Sequence, residues 1–396
     1  MNSNISKLTA IASKSSRLII GLMSGTSLDG LDIALCRFEG SGPTTKATIL
    51  QFETVPYTDE FKEELKSIAF KKNIDLEKLC LLNSYIAKQH AVAINGLLQK
   101  WDIDPSTVDL IASHGQTVYH APARSHQHST YGNATLQIGD ADHLAVITGI
   151  ITISDFRQKH IAAGGEGAPL AVYGDQLLFS KEGEDRVLLN IGGIANFTFL
   201  PGKSKDENII CTDCGPGNTL MDAFMQERFP WKYYDENATI ALSGNINDAL
   251  LSALKENDFF EQAFPKTTGP ELFDMQYLSA AKQKSQTNDL TFSDTMATLN
   301  KFSADSIVAS IKTCIKDIST LTILCSGGGI HNPLLMQHIG SQLPGCTFES
   351  TALSGINPDA KEAFLFAILA NECICGNNEG KGVMPAISMG KISFPI

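Results

Sequence analysis

The apolar positions of the chain form two similar pairs of runs, and small residues separate the runs of each pair. Residues 18–22 lead through glycine, serine and threonine into residues 31–35, and within residues 186–200 the step Gly192-Gly193 divides two apolar stretches. Each pattern predicts a β-hairpin. Glycine lets the backbone approach a ligand, and the N–H groups of such a turn form a nest for anions. The repeat therefore predicts a duplicated domain with one phosphate-binding turn in each half.

A third glycine cluster follows another apolar stretch. Residues 321–326 end in Gly327, Gly328 and Gly329, and Pro333 stands where a first helical turn can begin. A strand that runs through glycines into a helix suits a nucleoside lying close to the backbone. The first hairpin does not predict a Rossmann turn, because a strand rather than a helix follows its glycines, and it lacks the lysine-containing sequence of a P-loop.

Helical and strand patterns alternate along the rest of the chain, which predicts the α/β class. Apolar residues recur at helical spacing over residues 61–101 and 301–317, and a further helix is predicted over 359–370. Asp359 is its predicted N-cap and Glu362 lies in its first turn.

Composition and charge narrow the class of protein. The 396 residues are 43% hydrophobic and 19% charged, which is typical of a globular protein with room for two domains. The net charge of −12 argues against nucleic acid or an anionic membrane as partner. Residues 1–16 lack the apolar core of a secretory signal and are interpreted as a flexible extension. The nine cysteines have no disulfide spacing, which favours a reducing, cytoplasmic location, and a metal or redox role for Cys211 and Cys214 is the less favoured interpretation.

Taken together, the motifs resemble those of the anhydro-N-acetylmuramic acid kinases and, more distantly, of the levoglucosan kinases. The matching segments are GLMSGTSLDG at 21–30, SHGQT at 113–117, DFR at 155–157, AAGG at 162–165, NIGG at 190–193, DCGPGN at 213–218, CSGGG at 325–329 and KEA at 361–363. The resemblance implies a two-lobed α/β fold of the actin, hexokinase and Hsp70 ATPase superfamily (ribonuclease H-like), with an interdomain active-site cleft. The first lobe is expected at 17–155 plus 376–396 and the second at 156–375. A homodimer is also expected from the family.

The same resemblance implies an unusual kinase reaction. In a 1,6-anhydro sugar O6 is bonded to the anomeric carbon and carries no proton for a base to remove. A base instead activates water, which opens the anhydro ring by attacking the anomeric carbon, while O6 attacks the γ-phosphate of ATP. The products are N-acetylmuramic acid 6-phosphate and ADP, a step of cell-wall recycling.

Asp213 matches the family's catalytic aspartate and is our predicted base. Its position before Gly215 also suits an aspartate that caps a turn, and the residues alone leave that alternative open.

The resemblance also implies the binding residues. Arg157 is expected to pair with the lactyl carboxylate of the sugar, with a structural ion pair to Asp155 as the alternative. Asp29 is expected to hold Mg²⁺ through water, with a hairpin cap as the alternative. His114 is interpreted as a core histidine. The predicted ATP-binding residues are Ser24, Gly25, Thr26, Ser27, Asp29, Gly30, Gly192, Gly193, Gly327, Gly328, Gly329 and Asn332, and the predicted sugar-binding residues are Gln116, Thr117, Arg157 and Glu362.

Two positions depart from the family pattern, with His160 in place of an aspartate and Glu166 in place of a glutamine. The histidine removes a negative charge near Arg157, and adds a positive one if it is protonated, whereas the glutamate restores a negative charge. The two changes either compensate each other or mark a different sugar. The alternatives to the main interpretation are therefore a kinase for another anhydrosugar, such as levoglucosan, and a non-catalytic ATP-binding switch.

Overall fold

The computed structural model describes residues 2–126, 128–168, 170–202, 208–350, 358–376 and 387–396. Its chain divides into unit 1, residues 1–178 and 356–396, and unit 2, residues 179–355. The first part of unit 1 contains α1 (Ser3–Ala12), β1 (Ser16–Ser24), β2 (Gly30–Glu39), β3 (Lys46–Pro56), α2 (Asp59–Ile68), α3 (Leu76–Lys100), β4 (Leu110–Ala121), β5 (Ala134–Ile138), α4 (Ala141–Thr148), β6 (Thr152–Ser154), α5 (Phe156–Ala162) and α6 (Ala171–Phe179).

Unit 2 begins with a second hairpin and ends in parallel strands. It contains β7 (Arg186–Ile191), β8 (Ile194–Leu200), β9 (Ile210–Pro216), α7 (Thr219–Arg228), α8 (Thr239–Leu242), α9 (Asp248–Lys255), α10 (Asp258–Glu261), α11 (Met275–Lys284), α12 (Phe292–Cys314), β10 (Thr322–Ser326), α13 (Pro333–Gln342) and β11 (Thr347–Ser350). The chain then supplies α14 (Lys361–Cys375) and β12 (Lys391–Ser393) to unit 1.

The two units share one sheet plan. In unit 1 the order runs β12-β6-β4-β1-β2-β3, with β5 paired to β4, and in unit 2 it runs β11-β10-β7-β8-β9. In both, three consecutive strands form an antiparallel meander, and the first of the three also pairs in parallel with a later strand. This repeated order confirms the α/β class, the two hairpins and the predicted duplication.

Each unit has its own apolar core. In unit 1, Ile20 and Ile33 pack with Ile94 of α3, and in unit 2, Phe197 packs with Phe302 of α12, all without exposed surface. The central strands β1 and β7 are buried over most of their length, whereas β3 alternates between partly buried and exposed positions at the sheet edge. The apolar runs of the sequence therefore follow from the position of each strand in its sheet.

Three features differ from the sequence-based expectations. Residues Ser3–Ala12 form a helix, and Ile11 at its end is buried, where a flexible extension was expected. The units divide after residue 178 rather than 155, and α14 belongs to unit 1 because Phe364 stacks on Phe38 of β2 at 5.8 Å. The N-cap of α14 is Ala360 rather than Asp359, since a short 3₁₀ turn over Pro358–Ala360 leads into the helix.

Candidate active site

The first hairpin presents polar side chains at its tip. Thr26, Ser27 and Asp29 are exposed in the turn between β1 and β2, whereas Leu28 is buried in a left-handed conformation with φ 59°. Leu28 packs with Phe61 and other apolar residues of α2 and α3, which fixes the turn to the unit. We call residues 25–29 the tip turn; its hydroxyls and N–H groups are the donors that a phosphate needs.

Ser24, the last residue of β1, lies beside Gln116 in the middle of the parallel strand β4. The Ser24 hydroxyl donates to Oε1 of Gln116 at 2.5 Å, and the Gln116 amide donates to the carbonyl of Gly25 at 3.3 Å. Thr117 accepts a hydrogen bond from Gln137 at 3.2 Å. Ser24, a predicted phosphate-binding residue, is thus directly hydrogen-bonded to Gln116, a predicted sugar-binding residue.

Arg157 extends from α5 and is held at two of its donors. Its Nε donates to Nε2 of His114 at 2.9 Å, and one Nη donates to the carbonyl of Gly167 at 2.7 Å. The carbonyl of Gly115 accepts from Nδ1 of His114 at 2.9 Å, so the histidine is neutral with its proton on Nδ1. Burial and the neighbouring Arg157 lower the pKa of His114 to about 3. His114 is a buried histidine, as interpreted from the sequence, and it also orients Arg157.

Glu362 and Arg157 influence each other's pKa through their opposite charges. Burial raises the pKa of Glu362, and the charge of Arg157 opposes that rise; burial in turn lowers the pKa of Arg157, and Glu362 opposes that fall. The alternative partner of Arg157, Asp155, is bonded to Lys391 at 2.6 Å. The Arg157 guanidinium is therefore influenced by the Glu362 carboxylate, and Asp155 forms its ion pair with Lys391 rather than with Arg157.

The departure at position 160 produces a neutral side chain. Nδ1 of His160 accepts from the N–H of Gly167 at 3.1 Å, and its Nε2 bonds to the Tyr173 hydroxyl at 2.9 Å. Burial is the main cause that lowers the pKa of His160, with Arg157 adding to it and Glu166 opposing it. His160 thus anchors the loop whose Gly167 carbonyl holds Arg157, and it adds no positive charge at neutral pH.

In unit 2 the glycine turns meet through backbone contacts. The carbonyls of Gly192 and Gly193, the glycine pair between β7 and β8, accept N–H bonds from Gly217, Asn218 and Thr219 at 2.8 to 3.1 Å. We call Gly327, Gly328 and Gly329 the glycine triplet. Gly327 and Gly329 pack on Ile191 just before the pair, and a methyl group on Gly327 would lie 2.6 Å from the Ile191 carbonyl oxygen. The predicted phosphate and adenosine turns of this unit are therefore adjacent.

Asp213 lies on β9, with its carboxylate held from a distant segment. Its Oδ2 accepts the N–H of Thr268 at 2.8 Å, and its own N–H donates to the carbonyl of Lys266 at 2.9 Å. Burial raises the pKa of Asp213, and the N–H of Thr268 opposes that rise. The hydrogen bond goes to Thr268 rather than to the following glycine turn, so the geometry favours an oriented carboxylate over a turn cap.

Asn332 caps a helix. Its Oδ1 accepts from the N–H of Leu335 at 2.9 Å and from the amide of the buried Asn300 at 3.0 Å, and Pro333 begins α13 as the sequence predicted. Asn332 is thereby fixed beside the glycine triplet.

The described ranges contain no group of three or more histidine, cysteine or acidic side chains arranged to hold a metal ion. In the same ranges no helix is long and apolar enough to cross a membrane.

Comparison with known proteins assigns the family. The sequence profile described as anhydro-N-acetylmuramic acid kinase matches residues 17–392. The chain belongs to this family. The anhydro-N-acetylmuramic acid kinase of Pseudoalteromonas atlantica is 53% identical over 400 residues, covering 100% of each chain. That of Caldanaerobacter subterraneus is 37% identical over 394 residues, covering 98% of this chain and all of the relative. A Bacillus cereus relative is 35% identical over 384 residues, covering 95% and 99%.

In this anhydro-N-acetylmuramic acid kinase family member, the sequence motifs did not predict two of the contacts described above. Thr268, whose N–H holds the Asp213 carboxylate, belongs to none of the motifs, and the interpretation of His114 as a core histidine did not include its hydrogen bond from Arg157. Each acts through a partner far away in sequence, so periodicity and short motifs carry no signal for it.

Proposed function

We propose that this protein is an ATP-dependent kinase that opens the 1,6-anhydro ring of 1,6-anhydro-N-acetylmuramic acid with water and phosphorylates O6. Membership of the family over residues 17–392 is the observation that carries the proposal. The products are N-acetylmuramic acid 6-phosphate and ADP.

Asp213 is the proposed base. A water oxygen forms a bond to the anomeric carbon as the bond from that carbon to O6 breaks, and the water proton passes to the Asp213 carboxylate. O6 takes the γ-phosphoryl group, and the bond to the leaving ADP breaks. The N–H of Thr268 on Oδ2 favours the ionised carboxylate and leaves Oδ1 for the water. Attack opposite the departing O6 inverts the anomeric carbon, as with one base of an inverting glycosidase.

Arg157 is the proposed ligand of the lactyl carboxylate. A guanidinium has five N–H donors, and the bonds to His114 and Gly167 use two of them. In the part of the chain that the structure describes, the second hydrogen on one Nη and both on the other are left for a bidentate carboxylate contact. Gln116, Thr117 and Glu362 complete the proposed sugar-binding set.

The tip turn, the glycine pair and the glycine triplet with Asn332 are the proposed nucleotide-binding elements. Phosphoryl transfer depends on positioned donors around the phosphates, which these turns offer. Mg²⁺ neutralises phosphate charge in such reactions, and it prefers one or two carboxylates together with phosphate oxygens and waters. The exposed Asp29 at the tip turn fits that preference as a ligand through water.

The family resemblance and the acidic, cysteine-containing sequence further support a cytoplasmic homodimer that binds neither nucleic acid nor membranes. These parts of the proposal are tested by gel filtration and by localisation of the tagged protein.

An assay of ADP release tests the reaction itself. With Mg²⁺, ATP and 1,6-anhydro-N-acetylmuramic acid, we expect ADP in step with a product heavier than the sugar by one phosphoryl group (HPO₃) and one water. Release of ADP with levoglucosan alone would mean that His160 and Glu166 mark a different sugar. Tight ATP binding with neither sugar turned over would instead support a non-catalytic switch.

A further inference from the structure

Four side chains form a continuous hydrogen-bonded chain behind the first hairpin, and the proposed reaction uses only two of them. Nε2 of His90 lies 2.9 Å from the Tyr57 hydroxyl, which lies 2.8 Å from the Ser24 hydroxyl, which lies 2.5 Å from Oε1 of Gln116. His90 comes from α3 and Tyr57 from the segment after β3. This hydrogen-bonded chain thus links α3 to the end of β1 and to the middle of β4.

The direction of each hydrogen bond follows from the last one. The NH₂ group of Gln116 donates to the carbonyls of Gly25 and Thr117 at 3.3 and 3.4 Å, which leaves Oε1 facing Ser24. A carbonyl oxygen can only accept a hydrogen bond. The Ser24 hydroxyl therefore donates to Gln116 and accepts from Tyr57. The Tyr57 oxygen in turn accepts from His90, which places the histidine proton on Nε2.

The surroundings keep this chain in one protonation state. His90 and Ser24 are each 2% exposed, and Phe61 packs edge-on against the Tyr57 ring at 4.8 Å. Burial lowers the pKa of His90 to about 4 and raises the pKa of Tyr57. Both groups are therefore neutral across the physiological range, and the chain acts as a fixed support.

The two ends of the chain reach the proposed phosphate and sugar residues. Ser24 uses its hydroxyl proton on Gln116, so it has no proton left for a phosphate, and Thr26 and Ser27 are the exposed hydroxyls of the tip turn. Gln116 holds the Gly25 carbonyl and so the start of that turn. We propose that Tyr57 and His90 are positioning residues that orient the tip turn and Gln116 for the kinase reaction. The kinetic part of this inference rests on the proposed function.

Removing the Tyr57 hydroxyl tests the positioning role. Tyr57→Phe leaves Ser24 without its donor, and loss of one buried hydrogen bond predicts a fall of about tenfold in kcat. Because the tip-turn donors act on charge that develops during transfer, KM for ATP should change less than kcat. Tyr85→Phe is the matched control: it deletes the hydroxyl of an exposed tyrosine that also packs edge-on against Phe61. A kcat for Tyr57→Phe equal to that of Tyr85→Phe would overturn the proposal.

His90 supplies a conservative rescue. His90→Gln keeps an amide donor for Tyr57 and should retain most of the activity, whereas His90→Leu should match the loss in Tyr57→Phe. Equal losses in the two variants would show that His90 only fills space, which contradicts a positioning role.

A spectroscopic measurement separates this inference from the proposed function. In the ¹⁵N NMR spectrum of the full-length wild-type protein, His90 should stay neutral with its proton on Nε2 between about pH 5.5 and pH 8. The resonance is assigned by its loss in His90→Gln. A proton on Nδ1, or titration near the ordinary histidine pKa, would contradict the chain even if the protein were an active kinase. If His90 showed the expected tautomer but the protein turned over neither sugar, the hydrogen-bonded arrangement would be supported and the proposed function would be contradicted.

Discussion

The two units build their glycine hairpins on the same sheet plan but hold them by different means. In unit 1 side chains do the holding: Ser24 and Gln116 fix the start of the tip turn, and Leu28 anchors its middle. In unit 2 the glycine pair is held by backbone N–H bonds from the start of α7 and by the packing of the glycine triplet. Single side-chain substitutions should therefore alter the tip turn of unit 1. The glycine pair of unit 2 should instead be sensitive to substitutions that prevent two backbone segments from lying close together.

The carboxylates follow the same division. Burial raises the pKa of both Glu362 and Asp213, but the opposing influence on Glu362 is the Arg157 side chain and on Asp213 it is a backbone N–H. The proposed sugar-binding carboxylate of unit 1 is thus influenced by a side chain, and the proposed base of unit 2 by the backbone.

The largest effect is expected from Asp213→Asn. The amide keeps an oxygen for the Thr268 N–H but removes the base, so kcat should fall by about 10²–10⁴-fold while ATP affinity stays unchanged. The measurement is steady-state ADP release together with calorimetric ATP binding. Asp222→Asn, a half-buried carboxylate on α7 whose pKa burial raises to about 6, serves as the matched control and should retain activity. Full activity in Asp213→Asn would assign the base elsewhere.

Arg157→Met tests recognition by side chains in unit 1. Loss of a charge-assisted bidentate contact predicts a fall of roughly ten- to hundredfold in kcat/KM for the anhydromuramate sugar. The wild type should discriminate against the methyl ester of the lactyl carboxylate, and Arg157→Met should no longer do so. Arg37→Met, which removes an exposed arginine of β2, is the control. If Arg157→Met still prefers the free acid to the ester, another group binds the carboxylate.

Gly327→Ala tests the backbone contacts of unit 2. Gly327 has φ 85°, and an added methyl would lie 2.6 Å from the Ile191 carbonyl oxygen, so the free energy of unfolding should fall by roughly 2–4 kcal/mol. At Gly192 the nearest atom to an added methyl is 3.6 Å away, and Gly192→Ala should change that free energy by less than about 1 kcal/mol. Urea unfolding monitored by circular dichroism measures both. Equal free energies of unfolding for Gly327→Ala and Gly192→Ala would contradict a close contact between Gly327 and the Ile191 carbonyl.

The smallest effect is expected in the pH profile. Because burial raises the pKa of Asp213, its neutral form persists above the ordinary aspartate value of 3.8, and kcat/KM should fall as the pH drops through that raised pKa. Thr268→Pro removes the N–H that lowers the pKa, so the acid limb should move to higher pH. Asp222→Asn should leave the limb in place. A limb that moves in Asp222→Asn would assign it to that carboxyl.

The sequence predicted most of the framework and part of the site. Both hairpins, the glycine triplet and the start of α13 at Pro333 are confirmed, because glycine, proline and apolar runs act over a few residues. The unit boundary at 178 and the place of α14 could not be predicted, since they depend on packing such as Phe364 on Phe38. Tyr57 and His90 are separated by 33 residues and Ser24 and Gln116 by 92, so local patterns do not report their contacts.

Incubation in ¹⁸O-labelled water tests the coupling of ring opening to phosphorylation most directly. With ATP, Mg²⁺ and 1,6-anhydro-N-acetylmuramic acid, mass spectrometry should find a 6-phosphorylated product with a single ¹⁸O at the anomeric carbon. Unlabelled product held in the same water is the control for exchange. A phosphorylated sugar with no label beyond that control would contradict attack of water on the anomeric carbon.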